Sequence, residues 1–258
     1  MMIEDEDVVH FNLTAGLTGC MLLAFFILTF TNIRAPYGRY GTKMPCTLNP
    51  RVAWMLQECP TLICAYVFFS SANQQAKASL ANRVLLGMFV FHYVNRTLVY
   101  PFLIRGSKRV PIATVILAFA FCTVNGYVQC RYLTQFRVYD ESWLGDTRFI
   151  IGIVLFFMGF AVNHHSDHIL RNLRKPGETG YKIPRGGMFE YVSGANFFGE
   201  ILEWFGFAIA NWSYPASAFA VCTAFNIGPR AIQHHAWYKE KFKEDYPKNR
   251  KALVPFVF

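Results

Sequence analysis

Seven stretches of this chain are apolar over enough residues to cross a bilayer as helices, and the polar residues collect between them. A spanning helix needs about 20 mostly apolar residues, because no backbone group can stay unpaired in lipid. The stretches are 12–30, 52–69, 84–104, 111–130, 149–162, 199–210 and 215–228. The first, third and fourth are the clearest. The second carries Glu58, and the last three are short and should continue into their polar flanks. Residues 180–187 read as a turn or surface loop, and nothing repeats at a fixed period. Glu4, Asp5, Glu6 and Asp7 precede the first stretch where a signal peptide would be basic, and no small-residue cleavage site comes after it. That stretch is expected to be a retained helix.

Composition agrees with this pattern. Apolar residues make up 53% and charged residues 16% of the 258, with 26 phenylalanines. A soluble fold carries roughly 25% charged residues, so too few are present here to cover an outer surface. The same figures exclude a disordered chain, a collagen-like repeat and a small disulfide scaffold. Seven cysteines without CxxC spacing give neither a disulfide framework nor a zinc site. The fold class expected is all-α, a single multi-pass integral membrane domain over 1–258 with about seven transmembrane helices.

The net charge of +9 does not by itself point to nucleic acid. A nucleic-acid binder would present a soluble basic face, whereas here the basic residues lie between apolar runs. With seven spans, 19 Lys and Arg fall on the side of the C-terminal tail and 5 on the other, with Arg96 inside a span. The positive-inside rule then makes the tail cytoplasmic and turns the acidic N-terminal tail, 1–11, outward. The host would be the endoplasmic reticulum in a eukaryote or the inner membrane in a bacterium.

Ionisable residues inside spans are costly, about 2.5–3.5 kcal/mol or more, and point to function. Glu58 comes after Trp54, Met55, Leu56 and Gln57 near the start of an apolar helix. A carboxyl away from water favours its neutral acid form, which can donate a hydrogen bond. His92, Tyr93, Asn95 and Arg96 interrupt the third stretch; Tyr93 and Arg96 are three apart and share a helix face. Tyr93 with Glu58 has the makings of an acid pair that polarises a carbonyl.

Three later helices each carry a polar stripe. Asn163, Asp167 and Arg174 align on one face with Arg171 beside them; Asn196, Glu200 and Glu203 repeat the pattern at i, i+4 and i+7. Arg230, His234 and Tyr238 run at i, i+4 and i+8. Together they describe a polar cavity with arginines enough for phosphate. Five histidines, at 164, 165, 168, 234 and 235, are too few for the clusters of a membrane di-iron site, so no metal is expected. With no Gly-x-Gly in the chain a Rossmann domain is excluded, and a nucleotide site must be built from helix side chains.

These residues resemble the steroid 5α-reductase family. The segments carrying the likeness are 163–178 (Asn-His-His-Ser-Asp through Arg-Lys-Pro-Gly-Glu), 181–189, 191–197, Glu203-Trp204 and the tail 244–256. The likeness runs from about Trp54 to Phe258, and before Trp54 it thins to Tyr37-Gly38. It implies a seven-helix membrane reductase using NADPH, with substrate-side helices at 12–130 and a cofactor-binding half at 149–258. It implies that Tyr37, Arg105, Asn163, Asp167, Arg171, Arg174, Tyr181, Asn196, Glu200, Arg230, His234 and Tyr238 serve the cofactor. Glu58 and Tyr93 would hold the 3-keto oxygen of a Δ4-3-ketosteroid, with Trp54, Gln57 and Arg96 at the substrate. The partners implied are a steroid or related lipid and the membrane, not nucleic acid; a monomer would suffice. An extra histidine at 164 and Asn226 beside the substrate depart from the family pattern. Alternatives are a reductase of polyprenol or another lipid enone or enoyl substrate, a methyltransferase of the isoprenylcysteine type, and a non-enzymatic sterol carrier.

Overall fold

The computed structural model describes residues 5–31, 46–105, 108–175 and 177–258. It is 77% helical. Among the described residues the helices are α1 (Asp5–Phe30), α2 (Pro50–Ser70), α3 (Gln74–Ala78), α4 (Leu80–Val94) and α5 (Tyr100–Leu103), then α6 (Ile112–Arg131), α7 (Thr147–Arg171), α8 (Ala195–Asn211) and α9 (Tyr214–Phe242). A two-residue antiparallel pair, β1 (Thr47–Leu48) with β2 (Val110–Pro111), ties the approaches to α2 and α6 together.

Local chemistry sets the helix starts. Asn49 accepts from the Arg51 N–H at 2.9 Å ahead of Pro50, whose missing N–H costs nothing in a first turn. Ser79 and Ser213 cap α4 and α9 in the same way. Asp146 caps α7 and grips the Arg148 guanidinium, and that hydrogen bonding holds its carboxyl down at about 2. Two helices end in π turns, α4 at Asn95–Val99 and α6 at Tyr132–Phe136. A π turn inserts an extra residue and re-aims the next stretch of chain, and such turns gather at functional sites.

Among the described residues four helices are long and apolar enough to cross a membrane: α1 from Asp7 to Phe30, α2, α6 extended to Phe136, and α7. The expected count of about seven is thus not reached on length and apolarity alone. The other three predicted stretches fall on α4–α5, α8 and α9. The first is broken by its π turn, α8 has only 17 residues, and α9 carries Arg230, His234 and their polar neighbours through its second half.

The packing inverts that of a soluble protein. On α7, Ile150, Ile151, Val154, Phe157 and Met158 are exposed, while Asn163, Ser166 and Asp167 are buried. The apolar core around Trp204, Phe89, Phe156, Phe207 and Phe219 sits between α4, α7, α8 and α9. The tightest packing is the antiparallel seam of α7 and α8. A Cβ at Gly159 would lie 2.2 Å from the Glu203 nitrogen, and one at Gly199 2.4 Å from the Asn163 nitrogen. Gly152 meets Ala210 and Gly206 meets Phe156 in the same way, at 2.3 and 2.4 Å. Seven-residue glycine spacing on both helices brings backbone against backbone, the means by which helices associate where lipid removes the hydrophobic drive.

The chain closes with a knot at Ser193. Its Oγ lies 2.6 Å from His235 Nδ1 and 2.5 Å from Tyr246 Oη, and donates to the Lys251 carbonyl. Burial pushes the Tyr246 phenol above its ordinary range.

Candidate active site

Glu58 lies half-buried on α2, one turn after Trp54, and its Oε2 accepts from the Cys122 thiol of α6 at 3.5 Å. Arg96, His92 and Glu200 are within electrostatic reach of it. Tyr93 is 3% exposed, packs on Phe89 and Trp204, and lies within reach of Glu58 and Cys122. The two residues expected to act as an acid pair therefore come from α2 and α4 into the same neighbourhood, within electrostatic reach of each other. Gln57 is buried beside them on α2.

Arg96 occupies the π turn. Its guanidinium lies over the Trp54 ring at 4.4 Å and the Tyr100 ring at 4.7 Å, an aromatic clamp that suits its planar charge. It also reaches Asp167 Oδ2 of α7 at 3.8 Å and stands within electrostatic reach of Glu200. A single cation thus bridges the Glu58 side of the bundle to the α7–α8 side.

There Asn163 donates to the Asn196 carbonyl at 2.9 Å, Asp167 bonds the Asn196 side chain, and Arg171 and Glu200 lie within reach of Asp167. The inner members of the predicted stripes on α7 and α8 come together around the seam. The outer members spread. Arg105 donates to Asn172 at 3.0 Å, Arg174 to the Gly180 carbonyl at 3.4 Å, and Tyr181 meets Trp237 edge to face. On α9, Arg230 donates to Asn226 at 2.7 Å and His234 stands against Phe197. Tyr238 is buried and stacks on Tyr246. Tyr37 lies outside the described residues.

Sequence reasoning singled out His92 and Glu203 but missed their pairing, and it missed three further groups. His92 Nδ1 and Glu203 Oε1 stand 2.8 Å apart, both buried, and pin α4 to α8. Glu203 is legible as a stripe member but not as the partner of a residue 111 positions away. Tyr100, under Arg96, and Asn125 and Gln129, in an otherwise apolar α6, are the others. The i, i+4 spacing of the last two is the one available signal. Glu203→Ala should cost about 1–3 kcal/mol by stranding the buried His92 nitrogen, and Glu203→Gln, which retains a bonding oxygen, clearly less. Thermal unfolding in detergent measures both.

The arrangement is a helical bundle in which Glu58 and Tyr93 stand on one side of Arg96 and the polar residues of α7 and α8 on the other. The family model described as 3-oxo-5-alpha-steroid 4-dehydrogenase matches residues 108–258. Among curated relatives, "3-oxo-5-alpha-steroid 4-dehydrogenase 1" of Rattus norvegicus is 51% identical over 257 residues, covering 99% of this chain and 98% of that protein. Its namesake in Homo sapiens is 50% identical over 223 residues, 86% of each. "3-oxo-5-alpha-steroid 4-dehydrogenase 2" of Homo sapiens is 48% identical over 223 residues, 84% of this chain and 83% of that one. The chain belongs to the 3-oxo-5-alpha-steroid 4-dehydrogenase family. It is an integral membrane oxidoreductase of steroid metabolism that needs a reduced nicotinamide cofactor.

Proposed function

We propose that this protein reduces the Δ4 double bond of a 3-keto-Δ4-steroid to the 5α-reduced 3-ketosteroid with NADPH. The observation that carries the reading is the convergence of Glu58 and Tyr93 beside Arg96, which links them to Asp167.

The α7–α8 end fits a dinucleotide. Arg171 Nη1 and Ser166 Oγ are buried there without a hydrogen-bond partner, and amides, carboxylates and arginines stand close by. Asn163, Asp167, Asn196 and Glu200 would hold the polar edges of NADPH. Arg171, Arg174 and Arg230 would hold its phosphates, with Tyr37, Arg105, Tyr181, His234 and Tyr238 around them. When bound, the nicotinamide supplies a hydride, which we assign to C5 of the steroid. As that bond forms, the C4=C5 electrons move toward the 3-oxygen. Glu58 as a neutral acid and Tyr93 each donate a hydrogen bond to that oxygen where its charge develops, in a site closed to water. Protonation at C4 completes the reduction. Trp54 and Gln57 flank the steroid, and Arg96, clamped between aromatic rings, keeps the Glu58 side in register with Asp167. The substrate is apolar and would enter from the lipid; the basic excess of the C-terminal tail supports a cytoplasmic position for it.

Purified protein in detergent, given NADPH and a Δ4-3-ketosteroid, should form the 5α-reduced product. Binding of NADPH without turnover would remove the steroid assignment, and absence of NADPH binding would remove the reductase. Arg174→Ala should weaken NADPH affinity about tenfold, the loss of one charge-assisted contact. Unchanged affinity would remove Arg174 from the cofactor site.

A further inference from the structure

Asn125 and Gln129 lie one turn apart on α6 and are 0% and 3% exposed. Gly126 lets α2 come close, since a Cβ there would lie 3.0 Å from the Thr61 Cα, and this seats Asn125 deep in the bundle. Buried amides are costly unless bonded, and these two are bonded in a series with a direction. Gln129 Nε2 donates to the Pro215 carbonyl at 2.9 Å and to Asn125 Oδ1 at 3.3 Å. Asn125 Nδ2 donates to Tyr93 Oη at 3.3 Å.

The direction comes from the first member. A backbone carbonyl only accepts, so Gln129 must turn its NH2 toward Pro215. That NH2 has a second hydrogen, and Asn125 must face it with its oxygen. The Asn125 NH2 is then left facing Tyr93. An amide NH2 only donates, so the Tyr93 oxygen accepts and its own hydrogen must point elsewhere. Glu58 is within electrostatic reach of that phenol. A lone phenol would rotate freely between donating and accepting; this one is set to donate.

We propose that Asn125, oriented by Gln129, is a positioning residue that directs the Tyr93 hydroxyl hydrogen at the substrate's 3-oxygen. The inference rests on the role given to Tyr93 above. It makes Asn125 act through Tyr93 alone, which separates it from a residue that merely fills the space between α4 and α6.

The test is a double-mutant cycle on the full-length protein in detergent, with NADPH and a Δ4-3-ketosteroid. Asn125→Leu should lower kcat by about tenfold to a hundredfold, less than the loss of a direct donor. KM for the steroid and Kd for NADPH should stay within about twofold. On a Tyr93→Phe background the same substitution should change kcat by less than about twofold, because its target is gone. Asn125→Ala, measured alongside with its melting temperature, serves if the leucine variant does not fold. An effect of Asn125→Leu that persists in full on the Tyr93→Phe background overturns the proposal, as does a folded position-125 variant with unchanged kcat. Failure of both variants to fold makes Asn125 structural and overturns it too. If Tyr93→Phe alone is unimpaired, the role of Tyr93 fails and the relay with it. If Tyr93→Phe is impaired beside a fully active Asn125→Leu, only the relay fails.

Discussion

Glu58→Gln is expected to lower turnover about a hundredfold while leaving NADPH affinity unchanged. The substitution preserves shape, so Trp54 and Arg96 keep their contacts. It replaces a carboxylic acid with an amide, whose N–H is a much weaker acid and a weaker donor to a developing oxyanion. Donors aimed at such an oxygen in a dry site contribute about 10²–10³ in kcat each. The amide also has two faces to satisfy. The Cys122 thiol, which donates to Glu58 Oε2 at 3.5 Å, holds an acceptor toward α6 and leaves the other end of the group for the steroid. The proposed NADPH residues lie mainly on α7, α8 and α9, so a change on α2 should appear in kcat and not in the NADPH titration. Turnover equal to the wild type would remove Glu58 from the mechanism.

Gly159→Leu should abolish the folded protein. The new Cβ alone would stand 2.2 Å from the Glu203 nitrogen and 2.6 Å from its Cα, both backbone atoms of α8. Overpacking a core where side chains can yield costs about 1–3 kcal/mol. Here no side chain can move out of the way, so the helices themselves must part. Parting them would separate Asn163 from the Asn196 carbonyl and pull Glu203 from His92. Gly16→Leu on α1, where nothing lies within 4 Å, is the control and should leave yield and melting temperature unchanged. Size-exclusion profiles and thermal unfolding in detergent compare the two. A monodisperse Gly159→Leu protein of normal stability would mean that the seam does not hold the bundle together.

Much of this is legible in the chain because a bilayer imposes a simple rule on sequence. The runs at 52–69 and 111–130 coincide with α2 and α6, and the run at 12–30 is the larger part of α1, which begins at Asp5. The later runs understate their helices. The stretch at 215–228 is the first half of α9, which continues to Phe242 through Pro229, Arg230 and His234. Those residues lower the local apolarity without ending the helix. Glu58, Tyr93 and the inner stripe residues stand out because polar groups in apolar helices are conspicuous. His92 with Glu203, and Tyr93 with Asn125, are invisible as pairs, since tertiary contact between distant positions leaves no local periodicity. The π turn at Arg96 also gives no sign: an inserted residue changes hydrogen-bond register but not composition.

The glycine seam has a mechanical consequence. Two helices in backbone contact along their length behave as one post, and everything the cofactor would touch on α7 and α8 is fixed to it. The Glu58 side is held to that post by two polar pins, His92 to Glu203 and Arg96 to Asp167, 2.8 and 3.8 Å long. With steroid and NADPH bound as proposed, the gap between them would depend on side chains at these pins as well as on the shared apolar core around Trp204 and Phe89. Shortening or lengthening a pin by one methylene would retune that gap and leave the post as it stands.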